Sequence, residues 1–96
     1  MADKNSNLEK ILRKAHNAIF SDQNTVMIED KEYPIKKTSK KGLRCIYHDK
    51  YFFIEQNPNT SSHWAKKARN GEKITWALKG NDYIANIHEG KFHYFA

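Results

Sequence analysis

The spacing of apolar residues changes along this chain, and that change limits the fold more than any other feature. Between residues 8 and 19 they recur every three or four positions, which places them on one face of a helix. This apolar stripe consists of Leu8, Ile11, Leu12, Ala15 and Ile19. From Thr25 onward the apolar residues come in short runs bounded by polar turns, which is typical of β-strands. The sequence therefore predicts an α+β protein with an N-terminal amphipathic helix packed on an antiparallel sheet.

The first helix is predicted over residues 7–20. Ser6 stands three positions before Glu9, the spacing of a capping box, so Ser6 is the expected N-cap. The polar residues 1–5 are expected to fray. Polar residues 21–24 follow the stripe and end the helix.

About seven strands and a second helix are predicted after the first helix, in the order α-β-β-β-β-α-β-β-β. The strands are predicted at Thr25–Ile28, Tyr33–Thr38, Leu43–His48, Tyr51–Ile54, Ile74–Leu78, Tyr83–Ile87 and Phe92–Phe95. The first four form an antiparallel meander, in which Pro34 marks an edge or a strand start because proline donates no amide hydrogen. The second helix is short, runs over about residues 61–70 and ends at Gly71. One curled sheet and a partial barrel are both compatible with this pattern.

The composition is that of one small intracellular domain. Residues 1–96 are enough for one core, and the 39% hydrophobic content includes five Phe, five Tyr and two Trp to fill it. Cys45 is the sole cysteine and cannot form an internal disulfide, which suits a reducing compartment. The polar N-terminus is unlike a secretory signal, and no apolar run approaches the ~18 residues of a membrane span. We therefore expect a cytoplasmic protein with no membrane contact.

Positive charge is concentrated in the middle of the chain. Eleven of the 17 basic residues but only four of the 11 acidic residues lie within residues 31–73. The net charge of this segment is therefore higher than the net charge of +6 of the whole chain. A confined basic excess is the usual electrostatic sign of a polyanion binder. Its densest part combines five cations with two hydroxyls and a glycine, all of which can contact phosphate. These cations are Lys36, Lys37, Lys40, Lys41 and Arg44.

A second basic cluster lies on the predicted second helix and just after it. It consists of Lys66, Lys67, Arg69 and Lys73. Both clusters also fit an ordinary solvated surface, because lysines at a hairpin tip prevent edge-to-edge strand pairing and surface helices commonly have a charged face. Tyr33 and Tyr47 are expected to be exposed and available to stack on bases. Trp64 and Trp76 are expected in the core.

Non-enzymatic nucleic-acid binding through phosphates is the leading functional prediction. The nine cations would contact the backbone of DNA or RNA with little sequence preference, since no recognition-helix or RNP-type motif is present. The second possibility is a protein-interaction module, either a homodimer or an accessory subunit of a complex. The third is a small basic RNase, in which Glu55 would be the base and His63 or His88 the acid.

No cofactor, metal site or catalytic motif is predicted. The five histidines lack the spacing of metal ligands, and the GxxxxGK[ST] phosphate-binding pattern is absent. Cys45 and His48 are three positions apart in a predicted strand, so their side chains are expected on opposite faces. Cys45 is therefore expected to be a small buried residue.

Overall fold

The structure is a computed structural model that describes residues 4–55 and 72–95. The elements in chain order are α1 (Lys4–Ile19), β1 (Thr25–Ile28), β2 (Lys31–Pro34), β3 (Lys36–Lys37), β4 (Arg44–Tyr47), β5 (Phe52–Glu55), β6 (Ile74–Lys79), β7 (Asp82–His88) and β8 (Lys91–Tyr94). β1 and β2 form a two-stranded sheet, whereas β3 to β8 form a six-stranded antiparallel sheet in chain order. The α+β class is confirmed. Within these residues no helix has the length and apolar character needed to cross a membrane.

The apolar stripe of α1 packs on one face of the six-stranded sheet, as predicted. All five stripe residues are buried, and they form one core with residues of β1, β2 and β4 to β7. Each such aliphatic side chain, Ala15 excepted, contributes about 1.5–3 kcal/mol when it is withdrawn from water. Polar contacts fix the orientation of the helix: His16 Nδ1 is 2.7 Å from Thr75 Oγ1, and Arg13 Nη1 donates to the Gly90 carbonyl at 2.8 Å.

The first helix begins earlier than the sequence predicts. It starts at Lys4 rather than at residue 7, so Ser6 lies within the helix rather than at its N-cap. Glu9, the other half of the expected capping box, accepts two hydrogen bonds from Arg13, at 2.8 and 2.9 Å. Because an i,i+4 pair of this kind satisfies the carboxylate along the helix surface, Glu9 does not turn back towards Ser6. The predicted capping box is wrong.

The predicted strand over Tyr33–Thr38 is two strands in the structure. β2 ends at Pro34, which pairs with Thr25 of β1, whereas β3 pairs with β4. Between them Ile35 donates its amide to the Asn24 carbonyl at 2.8 Å, and the chain passes from the hairpin to the main sheet. The described residues therefore form eight strands in two sheets, and the predicted seven strands with a four-stranded meander are corrected. β2 is an edge strand of a two-stranded sheet, which agrees with the edge predicted from the missing amide hydrogen of Pro34, but Pro34 ends this strand rather than starting it.

The face of the six-stranded sheet that is turned away from α1 carries a second apolar cluster. Its buried members are Leu43, Cys45, Ile54, Ile74 and Trp76. β5 is thus apolar on both faces, since Phe53 belongs to the helix-side core and Ile54 to the second cluster. The core position predicted for Trp76 is confirmed. The predicted second helix and Trp64 lie outside the described residues.

The β1–β2 hairpin turn places two residues that carry Cβ atoms in left-handed backbone conformations. Glu29 has a φ of 52° and Asp30 a φ of 65°. A two-residue turn with positive φ at both central positions matches the right-handed twist of the two strands that it connects. Glycine adopts this conformation freely and asparagine and aspartate tolerate it, whereas a residue such as Glu29 adopts it at a cost of about 1–2 kcal/mol. The hairpin therefore contains backbone strain that a better turn sequence would relieve.

Candidate nucleic-acid interface

The turn between β3 and β4 is closed at its base by three hydrogen bonds. Thr38 N donates to Leu43 O at 2.8 Å, Gly42 N donates to Thr38 O at 3.0 Å, and Leu43 N donates to Thr38 Oγ1 at 3.1 Å. Gly42 has a φ of 64°, a conformation that glycine adopts at little cost. The tip, residues 39–41, is exposed. The basic tip is therefore presented on a turn of defined shape.

A cleft of about 410 Å³ opens between this turn and the face of the sheet that carries the second cluster. The described residues that line it are Thr38, Ser39, Lys40, Lys41, Leu43, Phe52 and Ile54. The turn contributes two ammonium groups and two hydroxyls, and the sheet contributes an apolar wall with one aromatic ring. This combination suits a ligand that carries both anionic groups and flat apolar rings.

Tyr47 lies next to the cleft and is 60% exposed. It pairs across the strands with the cleft residue Phe52, and the two ring centroids are 4.9 Å apart. The Nζ atom of Lys36 lies over the Tyr47 ring, 5.6 Å from its centroid, which is within cation–π range. The exposure predicted for Tyr47 is confirmed. The exposure predicted for Tyr33 is wrong, because Tyr33 is 6% exposed and packs in the helix-side core against His48. We call the following residues the cleft face: Lys36, Lys40, Lys41, Tyr47 and Phe52.

Arg44 is turned towards α1. Its Nε donates to Ile19 O at 2.7 Å, and its Nη2 donates to Gln23 O at 2.7 Å and to Ala18 O at 3.3 Å. Carbonyls at the end of a helix lack partners within the helix, and the helix dipole favours a cation at that end. Arg44 therefore caps α1 from the neighbouring strand, a role that the basic run in the sequence does not reveal.

Lys37 and Lys73 lie on the helix side of the sheet. Lys37 pairs with Arg44, and it points away from the face of its neighbour Lys36 because successive strand residues alternate between faces. Lys73 is exposed, with Nζ 5.8 Å from the ring centroid of Phe20 at the end of α1. Neither lysine is among the described residues that line the cleft. The three cations of the predicted second helix lie outside the described part of the chain: Lys66, Lys67 and Arg69.

The acid and base considered for an RNase do not meet in the described part of the chain. Ile54 belongs to the second cluster and Ile87 to the helix-side core, so the residues that follow them, Glu55 and His88, point to opposite faces of the sheet. Burial raises the pKa of the Glu55 carboxyl, although nearby cations oppose that effect. His63, the other candidate acid, lies outside the described residues.

Cys45 and His48 point to opposite faces, as predicted. Cys45 is buried in the second cluster, and burial raises the pKa of its thiol, which keeps the thiol protonated at neutral pH. His48 packs against the rings of Tyr33, Tyr51 and Phe53, and burial lowers the pKa of its imidazole. These two residues therefore have packing roles and do not form a shared site.

A polar cluster at one end of β7 was not foreseen from the sequence. The register pairs Ile74 with His88, and His88 Nε2 lies 2.8 Å from Glu72 Oε1 and 3.9 Å from Glu89 Oε1. Ligand atoms of these three residues lie within 4.8 Å of one another, which is close enough to hold a metal ion. Two residues earlier in the strand, Asn86 is fully buried and its side-chain amide has no hydrogen-bond partner among the described residues. Strand register creates this cluster, so no local motif could have indicated it.

Comparison of the chain with protein-family models, with curated proteins and with solved structures finds no match in any of the three. Function must therefore be inferred from the residues themselves. The cleft and the neighbouring side chains of Lys36 and Tyr47 bring cations, hydroxyls and an exposed aromatic ring together on one described surface.

Proposed function

We propose that this protein binds nucleic acid without catalysis, mainly through phosphates and with little sequence preference. The observation that supports the proposal is the placement of Lys40, Lys41, Thr38 and Ser39 on one closed turn beside a cleft. Ammonium groups neutralise phosphates, and hydroxyls donate hydrogen bonds to phosphate oxygens. Lys36 adds a third cation near the same cleft.

The other predicted cations have a smaller or a different part in this proposal. Five are kept as predicted secondary contacts: Lys37, Lys66, Lys67, Arg69 and Lys73. Arg44 is not kept, because its guanidinium is used on the carbonyls at the end of α1. The backbones of DNA and RNA both satisfy this chemistry. A cytoplasmic location is part of the proposal, since the one free cysteine is buried and needs no oxidising compartment.

Two double variants of equal charge change test where phosphates bind. Lys40→Ala/Lys41→Ala removes two proposed phosphate contacts, and Lys10→Ala/Lys14→Ala removes the same charge from the exposed side of α1. Each neutralised phosphate contributes about 0.7 to the slope of log affinity against log salt on a single strand, and about 0.9 on a duplex. In the first variant the slope of log affinity against log salt should therefore be smaller in magnitude by about 1.4–1.8. If the ionic contribution vanishes near 1 M, this variant should bind about 25-fold more weakly to a single strand and about 60-fold more weakly to a duplex near 0.1 M salt.

Fluorescence anisotropy of a labelled oligonucleotide, titrated at several salt concentrations, measures both quantities. The Lys10/Lys14 variant should keep the wild-type slope, because distant exposed charges are screened at these salt concentrations. A wild-type slope near zero would eliminate phosphate binding as the function. Equal losses in the two variants would show that net charge, and not the turn, is responsible.

A protein-interaction module is the second candidate, and β8 is the feature that favours it. β8 ends the six-stranded sheet, so one of its edges pairs with no described strand. Tyr94 and Phe95 at its end are exposed. An open strand edge with exposed aromatic residues can pair with a strand of a partner or of a second copy. Size-exclusion chromatography at several concentrations supports this candidate if it shows a dimer that oligonucleotide does not change.

A further inference from the structure

Tyr47 has an exposure that core packing does not explain. The ring stands on the cleft side of the sheet and remains 60% exposed, although five buried apolar residues on the same face are 9% exposed or less. Its partner Phe52 contacts it from one side with an interplanar angle of 42°. A cross-strand aromatic pair stabilises a sheet by roughly 0.2–1 kcal/mol, and here it leaves most of the Tyr47 side chain exposed. The ring is thus held in place by Phe52 while it offers π surface to the solvent.

One cation lies over this ring, and two more line the neighbouring cleft. The ammonium group of Lys36 lies over Tyr47, and Lys40 and Lys41 line the cleft together with Phe52. Lys36 is exposed, so its flexible side chain can move from the ring to a nearby phosphate without disturbing the sheet. An aromatic ring bordered by cations is the arrangement that binds unpaired nucleotides, because the base stacks while the flanking phosphates are neutralised.

We propose that the cleft face binds single-stranded nucleic acid, with one unpaired base stacked on Tyr47 and the flanking phosphates on Lys36, Lys40 and Lys41. This inference depends on the proposed function and narrows its substrate class. In a duplex the faces of the bases are stacked on one another, so internal bases of a duplex cannot reach the ring. The preference for a single strand therefore comes from Tyr47, whereas phosphate affinity comes from the lysines and acts on both kinds of strand.

The test compares Tyr47→Ala, Tyr47→Leu and Tyr47→Phe on labelled single-stranded oligonucleotides and on a duplex of the same length. Stacking of one base accounts for about a 5- to 150-fold change in affinity. Tyr47→Ala and Tyr47→Leu should each lose that much on the single strand, while Tyr47→Phe keeps its affinity. Tyr47→Leu preserves an apolar contact with Phe52, so it tests loss of the π surface even if the Ala variant is unstable. Tyr94→Ala removes another exposed tyrosine, at the far edge of the sheet, and should change nothing.

Two readouts separate stacking from ionic binding. The salt slope of the Tyr47 variants should equal that of the wild type, because no cation has been removed, and their duplex affinity should not change. Full single-strand affinity in Tyr47→Leu would overturn this inference. The proposed function would nevertheless stand if Lys40→Ala/Lys41→Ala bound oligonucleotide more weakly than the wild type does. Equal losses on single strand and duplex would also overturn it. If the wild type binds neither kind of oligonucleotide, the proposed function itself is wrong.

Discussion

Replacing Arg44 separates structural from functional cations within one basic hairpin. The guanidinium makes two hydrogen bonds of 2.7 Å, to the carbonyls of Ile19 and Gln23, and a longer one of 3.3 Å to Ala18. Arg44→Met keeps most of the apolar stem and removes every donor. Because the lysines at the tip of the turn make the proposed phosphate contacts, this variant should unfold more easily and still bind normally.

The size of the destabilisation follows from which carbonyls lose their partner. Ala18 O also accepts bonds from Ser21 N and Ser21 Oγ, so it stays satisfied. Ile19 O and Gln23 O lose a charged donor, and hydrogen bonds to charged groups contribute about 1.5–3 kcal/mol when partly buried and less when exposed. Loss of a cation near the helix C-terminus adds about 0.3–1 kcal/mol. We expect Arg44→Met to lower the free energy of unfolding by about 2–3 kcal/mol, or roughly 10–20 °C in melting temperature.

Urea unfolding followed by circular dichroism measures this loss, and Lys37→Met is the matched control. Lys37 is the exposed cross-strand neighbour of Arg44 and carries the same charge, so its replacement should change stability by less than about 0.5 kcal/mol. Arg44→Lys should be intermediate, because an ammonium group cannot reach two carbonyls in the forked geometry of a guanidinium. If Arg44→Met were as stable as Lys37→Met, the capping role would be refuted. If folded Arg44→Met lost its nucleic-acid affinity, the exclusion of Arg44 from the phosphate contacts would be refuted.

Two further predictions concern stability. The double variant Glu29→Asn/Asp30→Gly places the preferred residues in the strained β1–β2 turn. It should raise the free energy of unfolding, measured by urea titration, by about 1–2 kcal/mol. No gain in this free energy would show that the turn is unstrained. His48 has a lowered pKa, and its Nδ1 accepts the Lys50 amide at 3.1 Å, so protonation favours the unfolded chain. The stability that His48 contributes should therefore be fully present above the unfolded-state pKa of about 6.5 and should be lost as the pH falls below it. His48→Phe should show a smaller fall between neutral and mildly acidic pH, and an unchanged fall would contradict this assignment.

Local pattern was sufficient for much of the fold and for part of the candidate site. The stripe of α1, the burial of Trp76 and the strands from β4 to β8 follow from spacing and turn residues, which act over a few positions. The lysines of the β3–β4 turn were also found this way, because charge density is visible in sequence. The start of α1 was misplaced, since a capping signal at Ser6 competes with an equally local Glu9–Arg13 pair.

The sequence by itself determined the elements of this protein: an amphipathic helix, short antiparallel strands and a lysine-rich turn, all specified by neighbours a few residues apart. The tertiary structure alone decided which of those residues share a surface. It assigned Arg44 to a helix end 25 residues earlier in the chain, placed Lys36 over Tyr47 beside the lysine-lined cleft, and put Glu55 and His88 on opposite faces. The physical reason is strand register, which fixes side-chain direction and pairing across the sheet and which no short stretch of sequence contains.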